Sequence, residues 1–149
     1  VNPLPLICGD SAMVRLLVDF NRTAEILAEN FWPGPLTMVL KSKVEYSMWV
    51  VHGKGTLAVC VPSDKVASKL AQLSRGVIIG SSARRSGEEL PNTAEDVKHR
   101  FGAKVDIILD GTPPMNNMQS TILDLSGREM WILRSGPVSG SEILEVLGR

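Results

Sequence analysis

Three polar segments hold the side chains in this sequence that could do chemistry. The first, Ser81-Ser82-Ala83-Arg84-Arg85-Ser86-Gly87, follows a short apolar run. Small hydroxyl residues and glycine let backbone N–H groups approach a phosphate, and arginine offers a planar fork to its oxygens. A solvated turn has the same composition, so the loop alone does not choose between the two. The second pairs Ser120-Thr121-Ile122-Leu123-Asp124 with Arg134-Ser135-Gly136-Pro137. Adjacent strands there would bring Ser120 and Arg134 to one sheet edge; hydroxyls that merely finish a strand beside an exposed arginine would read alike. The third, Phe31-Trp32-Pro33-Gly34-Pro35-Leu36-Thr37, sets two aromatics before a rigid proline–glycine turn. A helix stop with core-filling aromatics is favoured there over direct ligand contact.

Other chemistries find less support. Cys8, Cys60, His52 and His99 lack metal-ligand spacing, so no protein-held metal is expected. No phosphate-binding Gly-x-x-x-x-Gly-Lys-Ser/Thr loop, dinucleotide fingerprint or nucleophile elbow is present. His99, between Lys98 and Arg100, reads as solvated, as does Glu88-Glu89.

The elements that must position these segments follow from apolar periodicity. A short run at Leu4–Ile7 precedes a helix start at Asp10-Ser11, with Met13, Leu16, Leu17 and Phe20 at helical spacing. Asn21 or Thr23 restarts a helix through Ile26 and Leu27, and Pro33 and Pro35 forbid its continuation. Strands are expected at Leu36–Leu40, Thr56–Val61, Val77–Ile79, Val105–Leu109, Thr121–Leu125 and Met130–Leu133. Ser63-Asp64 caps a helix with Val66, Leu70 and Leu73 on one face; Thr93 with Asp96 and Ser139 with Glu142 cap two more. Strands alternating with helices define an α/β domain, and the closely spaced late strands suggest an antiparallel portion.

At 149 residues and 44% apolar, the chain suits one domain with a sizeable core. Sixteen basic and 16 acidic residues cancel, which leaves no global field toward nucleic acid or membrane. No apolar run reaches the roughly 18 residues of a membrane span. The two cysteines sit inside apolar runs without bridge spacing, which favours a reducing, cytoplasmic setting. The opening Val1-Asn2-Pro3-Leu4-Pro5 reads as mid-domain, so residues 1–149 are expected to be a single domain lacking an N-terminal segment.

Taken in order, the segments resemble a known family. Asn2-Pro3-Leu4, Trp32-Pro33-Gly34-Pro35-Leu36-Thr37, Thr56-Leu57-Ala58-Val59-Cys60-Val61-Pro62 and Ser82-Ala83-Arg84-Arg85-Ser86-Gly87 are similar to the YrdC-like domain. So are Ile108-Leu109-Asp110-Gly111, Ser120-Thr121-Ile122 and Arg134-Ser135-Gly136. The resemblance implies a twisted mixed parallel/antiparallel sheet with flanking helices and a concave ligand-binding face. It implies a threonylcarbamoyl-adenylate synthase, which joins L-threonine, bicarbonate and Mg²⁺-bound ATP for the threonylcarbamoyladenosine modification of tRNA. Asn2, Thr56, Ser82 and Arg134 would then contact ATP and Ser120 would contact threonine; Arg84, which departs from the family's asparagine, is a candidate compensating phosphate contact. Departures are visible at Ile7, where the family often has histidine, and at Cys60, where it usually has arginine. Arg84 stands for asparagine and Leu90 for serine, and the family's Pro-Thr-x-Thr and Lys-x-Arg motifs are absent from the chain. A degenerate relative that binds nucleotide or tRNA without synthesis is the alternative these departures leave.

Overall fold

Runs of β-branched and apolar residues alternate with capped helices, and in a computed structural model they form the expected α/β architecture. The structure describes residues 4–45, 55–85, 87–111 and 119–148. Its described residues fall into two compact units, one comprising Val1–Gly80 with Gln119–Arg149 and the other Ser81–Met118.

The larger unit carries a six-stranded sheet. Its strands are β1 (Leu6–Cys8), β2 (Leu36–Lys41), β3 (Thr56–Cys60), β4 (Val77–Ile79), β5 (Thr121–Asp124) and β6 (Trp131–Arg134). The order is β4-β1-β3-β2-β5-β6, an open sheet with β4 and β6 at its edges. β1–β3 and β2–β5 run parallel, while β1–β4, β2–β3 and β5–β6 are antiparallel. The mixed sheet is therefore as the sequence suggests, including the late antiparallel pair.

Side chains alternate across a strand, so each strand feeds two faces. Leu6, Met38, Val59 and Leu123 point to one face and join a buried core with Val14, Leu27 and Ile143 from the helices. Each such side chain contributes about 1.5–3 kcal/mol on burial. The helices are α1 (Ser11–Leu17), α2 (Arg22–Phe31), α3 (Lys65–Leu73) and α5 (Gly140–Val146). Asp10, Asn21 and Asp64 cap the first three by accepting from backbone N–H groups, and Ser139 with Glu142 forms a reciprocal capping box at α5. Trp32 fills the core as its segment suggests, donating from Nε1 to the Leu36 carbonyl at 2.7 Å and stacking on Phe20.

Two local expectations are corrected. α1 ends at Leu17, with Val18 bridging to Ser42, so Phe20 lies beyond the helix and Leu16 is exposed. The chain leaves the helix to make a strand-like contact, and Val14 and Leu17 become the buried positions. In α3 the apolar face of Val66, Leu70 and Leu73 is exposed, and Ala71 is the residue that packs. Small residues allow the helix close to the sheet: a side chain at Gly9 would meet Gln72 Cγ at 2.7 Å.

The smaller unit holds α4 (Ala94–Phe101), started by the expected capping box of Thr93 and Asp96. A 3-10 turn over Gly102–Lys104 follows. The strand expected at Val105–Leu109 is not formed; Ile107 and Leu109 are exposed there. A β-run persists only on a ladder, none of the described residues pairs with this one, and Asp106 interrupts its apolar pattern. Among the described residues no helix is long and apolar enough to cross a membrane.

Candidate functional site at the β2–β3–β5–β6 face

The face of the sheet opposite the core is where sequence and structure converge. Alternation places Thr37 and Val39 of β2 on it, and the register Val39↔Ala58 and Lys41↔Thr56 adds Ala58, Thr56 and, by the same alternation, Cys60. Ile7 pairs with Cys60 and joins the same face. The parallel pairing Thr37↔Ile122 and the antiparallel pairing Ile122↔Arg134 carry the face across β5 to β6. Thr56 and Arg134 therefore share one face, and Ser120 reaches it just before β5.

A polar cluster marks one end of this face. Thr37 Oγ1 lies 2.8 Å from Ser120 Oγ. Arg134 donates from Nε to the Ser120 carbonyl at 2.9 Å, from Nη2 to Ser120 Oγ at 3.1 Å, and from Nη1 to Gln119 Oε1 at 2.9 Å. Three of its N–H groups are thus tied to the start of β5, which fixes the guanidinium plane. The local sequence explains the tie. Gly136 lets the chain after β6 pass directly over residues 119–121, where a Cβ would lie 2.5 Å from the Gln119 carbonyl oxygen and from the Thr121 nitrogen. Thr121 then clasps the same turn, donating to the Val138 carbonyl at 2.7 Å and accepting from the Val138 N–H at 3.1 Å.

Cys60 borders the cluster. Burial pushes its thiol up to about 11, against a hydrogen bond with Thr37 that opposes the rise, so it is neutral at ordinary pH. Cys8, on the core face, is pushed up to about 12 by burial, with Cys60 and Asp10 adding to the effect. The position thus supplies no charge, and the guanidinium beside Ser120 is the fixed cation of this cluster.

The structure sorts the residues expected from sequence. Ser120 and Arg134 are in contact. Thr56 is buried on the same face but four residues along β2–β3 from the level of Thr37, about 13 Å at strand spacing. Asn2 lies outside the described residues. Ser82 and Arg84 belong to the smaller unit, where the Arg84 N–H donates to the Ser82 carbonyl at 2.8 Å and its Nη1 to the Glu88 carbonyl at 3.1 Å. Arg85 is held by the same glutamate, 3.9 Å from Glu88 Oε1. Thr37 and Gln119 are the cluster members that the sequence reading left out. The signal for Thr37 was alternation: a hydroxyl between Leu36 and Met38 must face away from their core. A cavity of about 270 Å³ lies elsewhere, at the start of α2 and the β5–β6 turn, lined by Asn21, Thr23, Arg128 and Glu129.

Comparison with known proteins places this architecture in a family. The family model described as telomere recombination, Sua5/YciO/YrdC, matches residues 1–136. The chain belongs to that family. The threonylcarbamoyl-AMP synthase of Pyrococcus abyssi is 34% identical over 148 residues, covering 99% of this chain and 44% of that protein. The threonylcarbamoyl-AMP synthase of Bacillus subtilis is 33% identical over 149 residues, covering 99% of this chain and 43% of its own length. Among solved structures, P. abyssi Sua5 complexed with L-threonine superposes with a TM-score of 0.91 at 34% identity, over 99% of this chain and 44% of that one. E. coli YciO shares the fold, with a TM-score of 0.85 at 24% identity, over 96% of this chain and 70% of that one. The chain spans less than half the length of the P. abyssi and B. subtilis synthases.

Proposed function

We propose that the protein is an L-threonylcarbamoyl-adenylate synthase, a nucleotidyltransferase that forms threonylcarbamoyl-AMP and pyrophosphate for tRNA modification. The observation that carries the reading is the Thr37–Ser120–Arg134 cluster on the sheet face opposite the core, in a chain that superposes on a relative crystallised with L-threonine.

In this reading the threonine amine takes up bicarbonate, releasing water, to give a carbamate. A carbamate oxygen attacks the α-phosphorus of ATP; the new O–P bond forms as the bond to the bridging oxygen breaks, and pyrophosphate departs with the electron pair. No covalent enzyme intermediate is needed, so positioning and charge stabilisation do the catalytic work. Ser120 would orient the amino acid. Arg134, its plane already fixed, would offset the negative charge gathered where carboxylate and phosphates meet. Thr56, farther along the face, would meet the nucleotide. Among the described residues no three His, Cys, Asp or Glu side chains gather as a metal site. Mg²⁺ would arrive on the phosphate oxygens as part of the substrate ATP.

The test is isothermal titration with L-threonine and Mg²⁺–ATP, together with a pyrophosphate-release assay containing bicarbonate. Ser120→Ala should weaken L-threonine affinity about 2- to 13-fold, the loss of one neutral hydrogen bond, and Arg134→Met should lower turnover about 10- to 150-fold, the loss of a charged one. Binding of both ligands without pyrophosphate would identify a binding-only relative instead, and binding of neither would overturn the reading.

A further inference from the structure

We infer that Thr37 is a positioning residue for the amino-acid end of the site, acting through Ser120; this inference rests on the assignment of Ser120 to threonine. Thr37 is 2% exposed and held in the β2 ladder between β3 and β5, so its Oγ1 is among the most rigidly placed atoms near the cluster. From there it reaches Ser120 Oγ at 2.8 Å. Ser120 itself precedes β5 and lacks a ladder of its own, so the direction of its hydroxyl must come from side-chain partners.

Proton bookkeeping shows what Thr37 adds. An arginine N–H can only donate, so Ser120 Oγ accepts from Arg134 Nη2. The other lone pair of Ser120 is available to the Thr37 hydroxyl. In that order both lone pairs of Ser120 are filled by protein groups, and its own O–H is aimed away from them, toward an acceptor on a bound amino acid. Remove the Thr37 hydroxyl and the serine proton falls back to satisfy local groups. Thr37 touches no reacting atom in this scheme.

The experiment is a double-mutant cycle on L-threonine binding, by isothermal titration with L-threonine as the probe, and on KM and kcat in the pyrophosphate assay. Thr37→Val, nearly isosteric, should weaken L-threonine binding and raise its KM about 2- to 13-fold, while the KM for ATP stays put. Thr37→Ser, which restores the hydroxyl, should recover affinity to within about twofold. In a Ser120→Ala background, Thr37→Val should add nothing. Thr37→Ala substitutes for the valine variant should the latter not fold, as judged by thermal melting. Equal and additive losses in the two backgrounds, or no loss in Thr37→Val where Ser120→Ala shows one, would overturn the inference. An unchanged affinity in Ser120→Ala would instead overturn the placement of threonine at Ser120 and take this inference with it.

Discussion

Replacing Gly136 by alanine should separate the β6 turn from the start of β5. A Cβ there would sit 2.5 Å from the Gln119 carbonyl oxygen, 2.5 Å from the Thr121 nitrogen and 2.8 Å from the Ser120 carbonyl carbon. All three are backbone atoms, so no flexible side chain can swing aside. Ordinary contact begins near 3.4 Å, which means that the turn must retreat by about 1 Å. A shift of that size stretches the Thr121–Val138 pair and the Arg134–Ser120 pair beyond hydrogen-bond range. Overpacking alone costs about 1–3 kcal/mol, and each neutral hydrogen bond lost adds about 0.5–1.5 kcal/mol. The reduced freedom of the unfolded chain returns about 0.4–1 kcal/mol. Gly127→Ala is the matched control, because the nearest atoms to its Cβ are 3.8 and 3.9 Å away. Urea denaturation followed by circular dichroism should place Gly136→Ala about 3 kcal/mol below Gly127→Ala. A gap of less than about 0.5 kcal/mol would refute the reasoning, since it would mean that the turn moves without consequence.

Trp32→Phe should cost about 1–3 kcal/mol in the same assay, because the Leu36 carbonyl loses a buried donor; a change under about 0.5 kcal/mol would show that the 2.7 Å bond contributes nothing. Alkaline pH supplies a further check. Cys8 is held at about 12 in the folded protein against an ordinary 9.0, so the unfolded thiol ionises first. A raised folded value means that the thiol's contribution is whole below about pH 9 and declines as pH rises toward 12. The stability difference between the wild type and Cys8→Ala should therefore shrink by about 1.4 kcal/mol per pH unit above 10, measured by urea denaturation; a pH-independent difference would contradict it.

Much of this arrangement was legible before any coordinates. Helix starts were readable because Asn21, Asp64, Thr93 and Ser139 carry short acceptors that reach their own backbone, a local interaction. The meeting of Ser120 and Arg134 was readable for a similar reason: two apolar runs a few residues apart pair as neighbours. Thr37 was obscured because its segment does two things at once. Trp32 serves the core, as its aromatic character announces, while Thr37 a few residues later faces the other side of the same sheet. Val105–Leu109 failed because apolar content was taken to mean a ladder, and pairing is a non-local property. The exposed face of α3 failed for a related reason, since which stripe of a short helix packs depends on the sheet it meets, and here Ala71 allows the closer approach.

From Leu36 to Leu40, β2 is buried at every position, with odd and even residues serving opposite faces. Such a strand has no silent sites: its neighbours in sequence answer to different masters, one set to the core and the other to the face that carries the polar cluster. Substitutions on either face of this strand will consequently change robustness. Variation that survives there should come as compensated pairs.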